Sequence, residues 1–227
     1  MVPISCYIIV ALGAYLAGSI PFGFLVARAK GIDIRSVGSG NIGATNALRV
    51  LGKPAGIFVL LMDMLKGYLA CAFVPALIYN CLFAPSWADV LQNQPVEIQM
   101  RLKVLAGIFA VLGHNYPCWL KFKGGKGIAT SAGVVLAWAP MACVVALAVW
   151  GVAVAATRYV SVASIAAAIV LPIAVWFTKQ SVPMTLVMTA LSVLAIYKHR
   201  GNVQRLREGT ENRLGAKRAN AQDESRA

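Results

Sequence analysis

Charge is scarce in this chain, and negative charge is scarcer still. Only 13% of the 227 residues are charged, and eight of them are acidic. No charged residue precedes Arg28. Histidine occurs twice, at His114 and His199, and the five cysteines (Cys6, Cys71, Cys81, Cys118, Cys143) are scattered through apolar stretches without a CxxC pair. That spacing speaks against a metal site or a disulfide framework, and marks the cysteines as small apolar residues. No G-x4-G-K-[ST] segment occurs, which argues against a nucleotide hydrolase. No internal repeat is visible, which counts against the inverted-repeat plan of many transporters.

What is present is apolar. Hydrophobic residues make up 59% of the chain, and the mean hydropathy is +0.71. One soluble core of this length could not hide that much apolar surface. Apolar runs bounded by charge, Pro or Gly predict membrane helices at 4–27, 54–79, 104–119, 127–139, 140–157, 159–177 and 181–197. The first run is read as an anchoring span. No Lys or Arg precedes it, and it exceeds the about 7–15 apolar residues of a secretory leader, despite the small-x-small triplet Ala27-Arg28-Ala29.

The stretch 127–157 reads as one long helix or as two broken at Pro140, and the distribution of basic residues decides for two. With seven spans and the N-terminus outside, only Arg101, Lys103 and Lys179 of the 21 basic residues lie outside, while Lys66 lies within a span. A single helix over 127–157 would move Arg158 and the whole basic tail outward. The expected fold is therefore all-α: a polytopic membrane protein with seven transmembrane helices, N-terminus periplasmic and C-terminus cytoplasmic. Residues 1–215 form the membrane domain and 216–227 a polar, disordered tail. The net charge of +13 then follows from basic residues beside an anionic leaflet, and implies no nucleic acid.

Three inner segments concentrate the remaining polarity. The first runs Gly38-Ser39-Gly40-Asn41-Ile42-Gly43-Ala44-Thr45-Asn46 to Arg49. Its glycines let backbone N–H groups approach an anion, and Arg49 can grip two oxygens at once. The second runs from Gly113-His114-Asn115-Tyr116-Pro117 to Lys123-Gly124-Gly125-Lys126-Gly127, with a helix predicted from Ile128. A helix start behind glycines presents free N–H groups to a phosphate, and Lys123 and Lys126 add point charges. The third follows the last span, with His199, Arg200, Asn202 and Glu211. Asp63 and Lys66 lie three residues apart in the second span and share a helical face, as an ion pair that orients the helix or as part of a site.

These three segments resemble the three motifs of the PlsY family, the bacterial acyl-phosphate:glycerol-3-phosphate acyltransferases, and the resemblance extends over residues 4–215. It implies transfer of a fatty acyl group from an acyl phosphate to the 1-hydroxyl of sn-glycerol 3-phosphate, giving lysophosphatidic acid and phosphate. It also implies the inner membrane, an active site on the cytoplasmic face, no metal and no cofactor. By the family pattern Ser39, His199 and Asn202 are catalytic. Gly38, Gly40, Asn41, Thr45, Asn46, Arg49, Lys66, His114, Lys123, Gly124, Gly125, Lys126 and Gly127 are expected to bind substrate, while Asp63 and Glu211 are structural. The expected partners are the two small-molecule substrates and the bilayer, with a soluble enzyme that makes the acyl phosphate as a candidate. The His-x4-Asp signature of acyl-CoA-dependent acyltransferases is absent, since Trp119 and Gln204 stand where its aspartate would follow His114 and His199. A transporter of organic phosphates and a non-catalytic scaffold are the rival classes.

Overall fold

The first apolar run breaks where proline requires it. Pro21 has no N–H, and it pushes Ile20 out of helical conformation, to φ −61° and ψ 114°. The run therefore becomes α1 (Ile4–Ser19) and α2 (Phe22–Ala29). The computed structural model describes residues 2–82, 96–178 and 180–215, and among these every strand-or-helix element is helical. After α2 come α3 (Ala44–Leu51), α4 (Lys53–Ala72), α5 (Val74–Leu82), α6 (Val96–Asn115), a 3-10 turn at Cys118–Leu120, α7 (Ile128–Trp138), α8 (Pro140–Thr157), α9 (Val160–Phe177), α10 (Val182–Lys198) and α11 (Arg200–Arg207). Lys179 and the tail beyond residue 215 lie outside the described residues.

Among the described residues, four helical units are long and apolar enough to cross a membrane: Ile4–Ala29, Lys53–Tyr79, Pro140–Thr157 and Val160–Phe177. A fifth is added if α10 and α11, bent by 47°, count as one. The predicted span at 104–119 is a helix that begins earlier, at Val96, and carries Glu97, Arg101 and Lys103 in its first turns. The stretch 127–157 is indeed two helices. The chain leaves helical geometry at Ala139 (φ −143°, ψ 73°), and Pro140 opens α8 at a position that needs no N–H. With 11 residues, α7 is only ~16 Å long, about half of a bilayer core.

The surface is apolar and the interior holds charge, the reverse of a soluble protein. Ile8, Leu12 and Leu16 on α1 and Ile57, Leu61 and Leu65 on α4 are exposed. Asp63, Lys66, His114 and His199 are buried. The helices approach closely where glycines meet backbone: Gly67 and Gly133 face Thr130 and Met64 across the α4–α7 crossing. The main core joins α1, α4, α6 and α7 around Val10, Ala70, Val111 and Trp138, and extends to Leu171 on α9 and Met188 on α10. A smaller cluster of Ala27, Ile34, Ile42, Ala47, Val59 and Leu120 lies beneath the first inner loop.

The proline break also explains the intramembrane lysine. Ending α1 at Ser19 frees the Ile20 carbonyl, which accepts a hydrogen bond from Lys66 Nζ at 2.7 Å. Asp63 Oδ1 stands 2.7 Å from the same nitrogen and balances its charge. Lys66, expected from the sequence to bind substrate, thus satisfies the carbonyl freed at the helix break.

Candidate active site

The first loop is organised by one buried amide. Asn46 Oδ1 accepts from Ser39 N at 2.9 Å. Its Nδ2 lies within hydrogen-bond distance of the carbonyls of Ile34 (3.2 Å), Val37 (3.1 Å) and Asn41 (2.9 Å). Gly38, at φ +63°, sits where a Cβ would strike Asn46 Oδ1, so the loop admits only glycine there. Asn41 Oδ1 accepts from Gly43 N at 2.8 Å, just before α3 begins. Asn41 and Asn46 therefore shape the loop, and both border the cavity together with Ser39, Thr45 and Arg49.

The second loop folds back on the end of α6. Gly124 N donates to Asn115 O at 3.2 Å and Gly125 N to His114 O at 3.1 Å. Those two N–H groups are used by the backbone, so the expectation that they cradle a phosphate is not met. Gly125 is small for a different reason: a Cβ would collide with His114 Nε2. The His114 ring in turn has Nδ1 3.6 Å from Asp63 Oδ1. Gly125→Ala is therefore expected to displace His114 and lower Tm by several degrees, with similar losses toward both substrates. Thermal melts and a KM determination for each substrate check it; a rise in one KM alone, at unchanged Tm, would restore the phosphate cradle. Gly127, the N-cap of α7 at φ +81°, does border the cavity, as does the first turn of α7. Lys123 is exposed and lies away from the cavity lining, as do Gly38, Gly40 and Lys66.

The third segment closes the site. The chain turns at His199, between α10 and α11, and returns after Gly209 to place Glu211 inward. Glu211 Oε1 accepts from Ser161 Oγ (2.9 Å) and Asn202 Nδ2 (2.7 Å), and Oε2 accepts from Arg205 Nε (2.8 Å). Burial pushes the Glu211 carboxyl upward, but these donors outweigh it and hold its pKa below the ordinary carboxylate range. The held Asn202 then offers Oδ1 to Lys126 Nζ. Glu211 therefore acts on the site through Asn202. Arg158 and Leu214 exchange hydrogen bonds (Leu214 N to Arg158 O, 2.7 Å), tying this segment to the α8–α9 turn.

These segments enclose a cavity of about 210 Å³ lined by Ser39, Thr45, Arg49, Asp63, His114, Lys126, His199, Asn202, Arg205 and Glu211. Asp63 is neutralised by Lys66 and Glu211 by Arg205. Among the described residues, Arg49 and Lys126 form no ion pair with a carboxylate. The first turns of α3 and α7 also face the cavity, adding two helix N-termini of the same polarity. Burial lowers the Lys126 pKa to about 8, with Arg205 and Arg49 adding to the shift and Glu211 opposing it. His199 Nδ1 lies 2.8 Å from the Ala195 carbonyl, which can only accept, so Nδ1 carries the proton and Nε2 is left for the cavity. Burial, then the nearby Lys126, lowers the His199 pKa to about 4, so the ring is neutral at pH 7.

Sequence reasoning missed Arg205, Ser161 and Trp150 as cavity residues. Arg205 was one more basic residue of a basic tail, and only its pairing with Glu211 distinguishes it. Ser161 and Trp150 sit in apolar spans with no pattern to mark them.

Known proteins resemble this chain over most of its length. A family model described as glycerol-3-phosphate acyltransferase matches residues 8–209. The glycerol-3-phosphate acyltransferase of Desulforamulus reducens is 43% identical over 212 residues, covering 93% of this chain and 96% of that protein. That of Geobacter sulfurreducens is 46% identical over 205 residues, covering 89% and 95%. The crystal structure of PlsY, an integral membrane glycerol 3-phosphate acyltransferase, in its glycerol 3-phosphate form superposes with a TM-score of 0.77 at 40% identity, covering 92% of this chain and 96% of that one. A lysophosphatidic acid form of the same enzyme gives a TM-score of 0.74. On its motifs, its fold and these likenesses, the chain belongs to the PlsY family of glycerol-3-phosphate acyltransferases.

Proposed function

We propose that this protein transfers a fatty acyl group from an acyl phosphate to the 1-hydroxyl of sn-glycerol 3-phosphate, forming lysophosphatidic acid and inorganic phosphate at the cytoplasmic face of a bacterial inner membrane. The observation that carries the reading is the pair of uncompensated cations, Arg49 and Lys126, facing two helix N-termini in one cavity. Two anionic substrates must be held side by side, and this is the arrangement that lowers their mutual repulsion.

In this reading the 1-hydroxyl oxygen attacks the acyl carbon, the carbon–oxygen bond to phosphate breaks, and phosphate departs with the bonding pair. A mixed anhydride needs little help in leaving. The proton passes to a phosphate oxygen of a substrate rather than to His199, whose lowered pKa makes it a weak base. His199 Nε2 and Ser39 orient the reacting groups, and Lys126, held by Asn202, stabilises the charge on the departing phosphate. Metal and cofactor take no part in the scheme.

Purified protein in detergent, given acyl phosphate and glycerol 3-phosphate, is expected to form lysophosphatidic acid. Absence of turnover there, with phosphate flux in vesicles instead, would favour a transporter.

Seven spans complete the reading: α6 adds to the apolar units, and α7, about half of a bilayer core in length, makes the seventh only together with the chain that leads into it. The supporting contacts are Lys126 to Asn202, Ser161 to Glu211 and Arg158 to Leu214, which gather the second and third inner segments and the α8–α9 turn at one end of the bundle. A cysteine placed at position 220 is expected to react with impermeant reagent only after the cell is opened; labelling from the periplasm of intact cells would reverse the topology.

A further inference from the structure

A second space, of about 520 Å³, opens where the second inner loop meets the start of α11. Asn41, Lys126, Lys198, Arg200 and Gln204 supply its side chains, and glycine backbone completes its wall. Among the described residues, no acidic, aliphatic or aromatic side chain lines it. The reaction cavity differs on both counts, since it holds Asp63 and Glu211 and apolar residues such as Leu147. Lys126 and Asn41 border both spaces and form the partition between them.

Aromatic rings pre-place two of the three cations in this basin. Lys198 Nζ stands 4.2 Å from the centre of the Tyr116 ring and donates to the Asn115 carbonyl at 3.2 Å. The Arg200 guanidinium lies 4.4 Å from the centre of the Tyr197 ring, and its Nη1 donates to the Tyr197 carbonyl at 3.4 Å. Each cation spends a single donor on these contacts and keeps the rest. Among the described residues, none of Lys126, Lys198 and Arg200 pairs with a carboxylate. Glu208, near Gln204 on the same segment, is held by Gln204 Nε2 at 2.9 Å. Three like charges around one basin repel each other, and an anion relieves that repulsion. A guanidinium fork flanked by ammonium groups matches phosphate oxygens. The lining gives a nucleotide base or an acyl chain nothing to rest on, so the ligand is a small phosphomonoester.

We propose that this basin is a second phosphate site, separate from the reaction cavity, which takes a phosphomonoester dianion and opposes turnover when filled. The opposition follows from the partition. Asn202 Oδ1 holds Lys126 Nζ for the cavity, and that one charge cannot fully serve an anion on each side. The two anions also repel one another. Filling the basin therefore weakens anion binding in the cavity, and by linkage the reverse holds. The cavity adds Arg49 and two helix N-termini to Lys126, so it fills first, and the basin fills at higher concentration. The dianion has two sources: soluble glycerol 3-phosphate or inorganic phosphate, and the headgroup of a phosphatidic acid in the bilayer.

Equilibrium dialysis of labelled inorganic phosphate against purified full-length protein in detergent is expected to show one more phosphate bound per chain in wild type than in Arg200→Gln. Arg200 is exposed, so Tm should be unchanged. Glycerol 3-phosphate should inhibit its own acylation at high concentration, by about fivefold or more. Arg200→Gln should abolish that inhibition while keeping the rate at low concentration within about twofold of wild type. Nanodiscs separate the sources. Loss of the weaker phosphate in discs with phosphatidic acid, but not in discs of phosphatidylcholine alone, assigns the basin to the lipid headgroup. Its persistence in both assigns the basin to the soluble dianion. Equal phosphate counts in wild type and Arg200→Gln would overturn the site, and inhibition that persists in Arg200→Gln would overturn its coupling to turnover. The binding count is independent of the acyltransfer reading, on which the rate measurement rests. Wild-type protein without turnover would strike that reading and leave the count to decide the site.

Discussion

Lys126→Met is expected to lower kcat/KM by about 10²–10³-fold, the usual loss when one pre-placed donor to developing charge is removed. Methionine keeps most of the side-chain volume and its flexible stem, so Tm should change little. The effect is large because Lys126 is one of two cavity cations without a carboxylate partner among the described residues. A second signature follows from burial, which lowers the Lys126 pKa to about 8. As pH rises through that value the ammonium loses its proton and its charge, so kcat/KM should fall on the basic side. Bound anions stabilise the ammonium, and the corresponding fall in kcat should lie at higher pH. Lys126→Arg keeps a charge that does not titrate, and should remove this limb even where it lowers the rate. Steady-state kinetics between about pH 6 and 10 measure both effects. A loss below about fivefold in Lys126→Met, or a basic limb unchanged in Lys126→Arg, would remove Lys126 from the reaction.

The second large effect is at His199. His199→Ala is expected to lower kcat by about 10²-fold or more, and His199→Gln to stay within about tenfold of wild type, because an amide can replace the hydrogen bonds of a neutral ring. The pH profile separates orientation from base catalysis. With the imidazole pKa near 4, a mechanism using His199 as base would lose rate only as pH falls through that low value. With substrate phosphate as base, rate falls as pH drops through about 6, where phosphate takes up its second proton. The acid limb should therefore lie near pH 6 in wild type and persist in His199→Gln. A limb that vanishes in His199→Gln, with binding of both substrates intact, would assign the base to the histidine.

Both predictions depend on features that differ in how visible they were beforehand. The helical, membrane-embedded character was legible because a bilayer imposes composition and length directly: apolar runs, charged boundaries and a basic bias survive in any arrangement of the helices. The α7–α8 break was legible because proline acts on its own backbone and its immediate neighbour. The three polar segments were legible as candidates because glycine, hydroxyl and amide residues are unusual between such runs. In each case the physical cause acts within a few residues.

What those residues do was decided by contacts between distant parts of the chain. Asn46 and Gly125 carry the same loop-like composition as Ser39, yet one pins the first loop from inside and the other makes room for His114. Arg205 joined the site and Lys123 did not, although both are basic residues of inner segments. Lys66 was assigned to a carbonyl released by a proline far from it in sequence. The lowered pKa of His199 comes from burial beside Lys126, which lies far from it in sequence. Composition and spacing record local backbone preference and exposure to lipid. They do not record which buried group desolvates or neutralises which other, because that depends on distances set by the packed bundle.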